Sequence, residues 1–276
     1  MLGKLIKYDF RCCIRKFGPL WLGLAALALI NGFTVRHVLE NDAVSGWLQF
    51  FTGVTPLILL IVLWTAVGIM ALVFICERFY KGLLGDEGYL MFTLPVTTGE
   101  HIAAKTVVAL LLELITGVVA VLSAFLFILM YDASLLSSAR EFIARALAEV
   151  DIPAGVWWII AEVFVMSVIM SVAQTLHIYL AICLGHLANK HRAGLAVLAY
   201  IAISMALSNL ATLFIPLLEK LPDDWFVTID ALGQLQYNGV GAAAALIGVG
   251  ILAALLQCAI FYFGSSAIIQ RRLNLE

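Results

Sequence analysis

The stretch VTPLILLIVLWTAVGIMALVFIC, residues 54–76, carries no charge along its whole length. As a helix rising 1.5 Å per residue it extends about 34 Å, enough to cross a hydrocarbon layer about 30 Å thick. It is apolar on every face, so no single side is marked for a soluble core. A barrel strand is excluded, because such strands run about ten residues and alternate strictly between apolar and polar. In lipid that leaves the helix, which satisfies its backbone amides internally. Five further runs share this character, at about 17–35, 106–130, 155–185, 194–218 and 240–263. Within the six, only Glu113 and Glu162 place a formal charge away from the ends. The expected fold is therefore an all-α membrane protein with six transmembrane helices, which puts both termini on one side.

The composition agrees. Hydrophobic residues make up 63% of the 276 and charged residues 12%, against roughly 45–50% and about 25% in soluble domains. Once the spans are subtracted, too little chain remains for a large soluble domain, so residues 1–276 are expected to form a single transmembrane domain. The net charge of -2 gives no basic footprint of the kind nucleic acid requires, and no nucleic-acid partner is expected. Cys12, Cys13, Cys76, Cys183 and Cys258 show neither Cys-x-x-Cys nor Cys/His zinc spacing and read as small apolar residues. No metal and no cofactor are expected.

The basic residues choose the orientation. With the N-terminus inside, twelve fall on the cytoplasmic side: Lys4, Lys7, Arg11, Arg15, Lys16, Arg78, Lys81, Lys105, Lys190, Arg192, Arg271 and Arg272. Only Arg36, Arg140, Arg145 and Lys220 fall opposite, so both termini are expected in the cytoplasm. The first run reads as a retained span, since a charged segment precedes it and no small-x-small exit follows. Residues 1–16 pair an apolar face (Leu2, Leu5, Ile6, Phe10, Cys13, Ile14, Phe17) with a basic row (Lys4, Lys7, Arg11, Arg15), the pattern of an interfacial amphipathic helix. Residues 133–150 form a second amphipathic segment, which rests on the outer bilayer surface or caps the bundle.

Chemistry-bearing motifs are few. There is no Gly-x-x-x-x-Gly-Lys-Ser/Thr loop for nucleotide phosphates, no Gly-x-Ser-x-Gly elbow and no His-Glu-x-x-His, so the chain reads as a non-enzyme. Glu113 and Glu162 either belong to a pathway or make structural polar contacts, since a carboxylate at bilayer depth costs about 3 kcal/mol and needs a partner or water. The row Ser167, Ser171, Gln174, His177 and the row Ser204, Ser208, Thr212 each keep to one helix side, as a wet path or as interhelical glue. Gly241, Ala244 or Ala245, and Gly248 predict a close backbone approach by the last span, and Pro216 an exit or kink in the fifth.

The longest cytoplasmic connection, 77–105, is punctuated by Gly82, Gly85 and Gly88 and then exposes Tyr89, Leu90, Met91, Phe92, Thr93, Leu94, Pro95 and Val96 to water. Apolar side chains in such a place suggest a docking surface. Tyr89-Leu90 followed by Thr93-Leu94-Pro95-Val96, then Lys105 opening an apolar helix, resembles the cytoplasmic loop of ABC-2 type transporter permeases, the membrane subunits of bacterial ABC exporters. The run Gly185-His186-Leu187-Ala188-Asn189-Lys190-His191-Arg192 and the basic N-terminal segment are similar to small members of that family. The resemblance implies a half-transporter in the bacterial plasma membrane, paired with a second permease subunit and with separately encoded P-loop ATPase subunits. It implies ATPase coupling through Tyr89, Leu90, Thr93, Leu94, Pro95 and Val96, and export of a hydrophobic or amphipathic compound. The large extracellular domains of some members have no counterpart. Glu113, Glu162, Gln174 and His177 are candidate pathway residues. Two other functions compete: an ion-coupled secondary transporter using Glu113 and Glu162, and a non-transporting membrane anchor or sensor.

Overall fold

The computed structural model describes residues 2–39, 46–85, 88, 96–149, 154–188, 190–218, 227–229, 235–237 and 239–272. Among the described residues seven α-helices carry the fold: α1 (Leu2–Leu39), α2 (Gly46–Phe79), α3 (Thr98–Tyr131), α4 (Ala133–Glu149), α5 (Ala154–His186), α6 (Arg192–Leu218) and α7 (Gly239–Arg272). A π-helical turn, Tyr80–Leu84, continues α2. Six of the helices, all but α4, are long and apolar enough to cross a membrane. This is a multi-pass helical membrane protein. The connection between α6 and α7 adds a small antiparallel ribbon, Val227–Ile229 against Leu235–Tyr237, with Thr228 opposite Gln236, which apolar periodicity did not mark.

The helix ends differ from the sequence reading. Residues 1–16 and 17–35 were expected as two segments, yet α1 runs unbroken through both. Only Pro19 interrupts its hydrogen bonding, by lacking the amide that would reach the Arg15 carbonyl. Likewise α2 with its π-turn extends to Leu84 and α3 starts at Thr98, so the expected connection 77–105 shrinks to 85–97. Charged residues at either end did not stop these helices, because a helix can continue into water beyond its apolar part.

Two compact units divide the chain, and each is described separately. The first comprises Met1–Glu77 and Val107–Asp151. Its core gathers Ala28, Val35, Leu60 and Phe127, with Trp64, Ile128 and Tyr131 against them. Polar stitches join the helices where lipid would leave donors unpaired: Trp21 Nε1 donates to Thr116 Oγ1 at 3.2 Å and Trp64 Nε1 to Ser123 Oγ at 2.9 Å. At Gly32 the backbones of α1 and α3 nearly touch, since a Cβ there would lie 2.6 Å from the Phe127 carbonyl oxygen.

The second unit comprises Arg78–Thr106 and Ile152–Glu276, with α5 packed against both α6 and α7. The α5–α6 hairpin closes tightly at Gly185, where a Cβ would sit 2.6 Å from the Ala196 backbone nitrogen. His191 turns the chain with φ 57°, and its carbonyl accepts the Leu195 amide to start α6. The close approach expected at Gly241 and Gly248 lies elsewhere. Both have open space around them, whereas Gly250 meets the Met166 side chain and Gly264 meets Leu180. A small residue permits contact without dictating which helix face turns toward the neighbour.

Candidate functional site

The second unit places the feet of connection 85–97 on α5 and α7. On the α2 side, Phe79 stacks flat on Tyr179 of α5 at 3.9 Å between ring centroids and 9° between planes, and both rings are buried. Tyr80 meets the His186 ring edge-on at 5.8 Å. A π-turn widens the helix by one residue per hydrogen bond and is frequent where function needs irregular backbone. Here it buries Gly82, Leu83 and Leu84, and the Gly88 amide bonds back to the Gly85 carbonyl at 2.8 Å.

On the α3 side, Thr97 and Glu100 form a reciprocal N-terminal cap. The Thr97 amide donates to Glu100 Oε2 at 2.9 Å while the Glu100 amide donates to Thr97 Oγ1 at 3.3 Å. The spacing Thr-x-x-Glu is readable in the sequence and marks the true start of α3, two turns before Lys105. Gln270 of α7 donates to Thr98 Oγ1 at 2.5 Å, and Gly99 lies beneath the Tyr262 hydroxyl.

Lys105 ties the two feet together. Its Nζ donates to the Arg78 carbonyl at 3.1 Å, and the side chain passes over Gly82 so closely that a Cβ there would come within 2.6 Å of Nζ. At 4% exposure it is a buried cation, tolerated only when hydrogen-bonded or paired. His101, one turn earlier on the same side of α3, is buried as well.

A second constellation lies among α5, α6 and α7. His177 is 2% exposed and sits between the rings of Tyr200 (4.4 Å, 17°) and Phe261 (5.1 Å, 26°). Gln174 Nε2 donates to the Tyr200 hydroxyl, and His177 Nε2 is buried without a hydrogen-bond partner. The sequence row Gln174 and His177 is thus brought together around Tyr200, which the row did not include. The hydroxyls of the rows behave differently. Ser167 bonds back to the Phe164 carbonyl and Thr212 to that of Asn209, so their own helices satisfy them.

The remaining sequence candidates disperse. Tyr89, Leu90, Thr93, Leu94 and Pro95 lie outside the described residues, while Val96 is half-buried immediately before the Thr97 cap. Glu113 is half-buried in the first unit and Glu162 half-buried in the second. One carboxylate oxygen of Glu162, Oε2, is buried without a hydrogen bond. Lys4, Lys7, Arg11 and Arg15 form an exposed row on α1, and the opposite side buries Asp9, Cys13 and Phe17. Asp9, 1% exposed, is a buried acid that the amphipathic pattern passed over. Among the described residues no three His, Cys, Asp or Glu side chains gather where they would hold a metal ion. The chain matches no family model, no curated protein and no solved structure.

Proposed function

We propose that the chain is the membrane-embedded subunit of an ABC-2 type exporter, moving a hydrophobic or amphipathic compound across a bacterial plasma membrane on ATP hydrolysed by a separate subunit. The observation that carries this reading is the framing of connection 85–97. Each foot is fixed to a different long helix, Phe79 on α5 through Tyr179 and Thr98 on α7 through Gln270, and Lys105 bolts one foot to the other. A loop that only joined two spans would need none of this. A loop that receives a push from an ATPase needs stiff feet, because the displacement of a slack loop is absorbed locally and never reaches the helices. In this reading Tyr89, Leu90, Thr93, Leu94, Pro95 and Val96 dock on the ATPase, and a second permease copy completes the pathway.

Orientation follows the basic residues, with both termini and connection 85–97 in the cytoplasm. At 38 residues α1 is about 57 Å long, more than the roughly 40–45 Å of a whole bilayer. Its basic N-terminal turns then reach the anionic inner surface, with Lys4, Lys7, Arg11 and Arg15 toward headgroups.

The test is copurification with a P-loop ATPase and measurement of ATPase activity stimulated by the membrane subunit. Tyr89→Ala and Leu94→Asp should weaken assembly. Lys105→Met should leave assembly intact and lower the stimulated rate, and unchanged stimulation in all three variants would defeat the coupling role. The unpaired Glu162 oxygen favours a second reading, a proton-coupled carrier. Flux by this chain alone in vesicles, driven by a pH gradient without ATP, would establish that reading instead.

A further inference from the structure

α4 begins one residue after α3 ends, and it hides almost nothing. Of its described side chains only Leu136 is half-buried, while Leu135, Phe142 and Ile143 are 45%, 74% and 54% exposed. Along the helix Leu135, Leu136, Ala139, Phe142 and Ile143 share one side, and Ser137, Glu141 and Arg145 share the other. An apolar face of this extent is not left to water.

We propose that this face lies in the bilayer surface of the leaflet where α3 ends, inserted at the boundary between headgroups and acyl chains. The inference rests on α3 spanning the membrane and is independent of the exporter reading.

Three features select lipid over a protein occupant. The first is continuity. Val118, Val121, Leu122, Phe125 and Leu129 form an exposed apolar stripe down one side of α3, which in a spanning helix faces acyl chains, and the stripe runs to the turn before the joint. The second is the joint itself. The Asp132 amide donates to the Ile128 carbonyl at 2.9 Å, the Leu135 amide donates to the Asp132 carbonyl at 3.2 Å, and the Ser134 amide donates to Asp132 Oδ1 at 2.8 Å. A joint so fully bonded has no slack to carry α4 away from the membrane edge. At about 51 Å for its 34 residues, α3 exceeds the roughly 40–45 Å of a bilayer, which places that edge within reach of its last turns. The third is charge. Arg140 and Arg145 balance Glu141 and Glu149, and Glu141 already pairs with Arg145 at 3.1 Å on the polar side. The helix therefore suits zwitterionic headgroups and attaches through apolar area rather than through a basic patch.

The test replaces Phe142, Glu141 and Phe125 one at a time with the photo-reactive benzoylphenylalanine. The full chain is reconstituted in vesicles of phosphatidylethanolamine and phosphatidylcholine, irradiated, digested and weighed. Position 125 on the α3 stripe serves as the lipid-facing reference. The expected result is a peptide carrying the mass of one phospholipid from positions 142 and 125, and only background from 141. Adducts from 142 that join two chains, adducts to another segment of the same chain, equal lipid labelling from 141 and 142, or no lipid adduct at 142 while 125 labels would each overturn the proposal. None of these outcomes bears on ATPase coupling, so the two proposals fail separately.

Discussion

Lys105 shows how much one side chain can hold in a protein with few charges to spare. Replacing it with Met keeps the volume and removes the bond to the Arg78 carbonyl. The expected loss is about 1.5–3 kcal/mol, the range for a hydrogen bond to a charged group, read as a lower melting temperature in detergent. Gly82→Ala should imitate it. The added methyl would crowd Nζ, the mobile end of the lysine, and drive it off the carbonyl while leaving the charge in place. If Gly82→Ala melts like the parent, the bond does not hold the two feet. The sequence offered Lys105 only as a basic residue at a helix start. Its burial was not legible, because burial depends on which way α3 turns, and a run that is apolar on every face does not record that. The same reason hid Asp9 and His101.

At the scale of elements, the glycines separate what sequence can say from what packing decides. Gly32→Ala and Gly185→Ala each press a methyl against backbone that cannot retreat, at the Phe127 carbonyl and the Ala196 nitrogen. Each should cost about 1–3 kcal/mol in thermal unfolding. Gly23→Ala and Gly248→Ala meet open space and should be neutral or gain up to about 1 kcal/mol from helix propensity. The reverse ranking would mean that the helices are packed on other faces. The α3–α4 joint allows a pH measurement. The Ser134 hydroxyl and amide hold the Asp132 carboxyl below its ordinary range. A carboxylate so lowered stabilises the start of α4 above the ordinary carboxylate range and loses that contribution as pH falls through the lowered value. Amide protection at 134–136 should therefore persist through mildly acid pH and drop only in strong acid, and Asp132→Asn should weaken the drop. Here the sequence was half legible. The amphipathic stripe was plain, while the cap and the one-residue joint needed the backbone.

Over the whole molecule, the six apolar helices were readable from the outset because uncharged length is a one-dimensional property, and lipid removes the need to know what lies beside it. Their true lengths were not readable, since helices continue past the apolar run wherever nothing breaks them, as α1 does past Lys16 and α2 does into its π-turn. The positive-inside expectation has a direct check. Cysteines at Lys4 and Lys190, both exposed, should react with an impermeant maleimide only after the membrane is opened, whereas one at exposed Ser137 should react in intact cells. Labelling of position 4 in intact cells would invert the topology and remove connection 85–97 from the reach of any cytoplasmic ATPase.

His191 occupies a backbone conformation that suits glycine, with its φ of 57° set between two long helices, α5 and α6. An L-residue there is wound against its preference, at a cost of order 1–3 kcal/mol. The α5–α6 hairpin is consequently assembled under tension and kept shut by the contact at Gly185. Exchanging His191 for glycine should release that tension and make the hairpin cheaper to form, so that the variant withstands a few more degrees of heating than the parent.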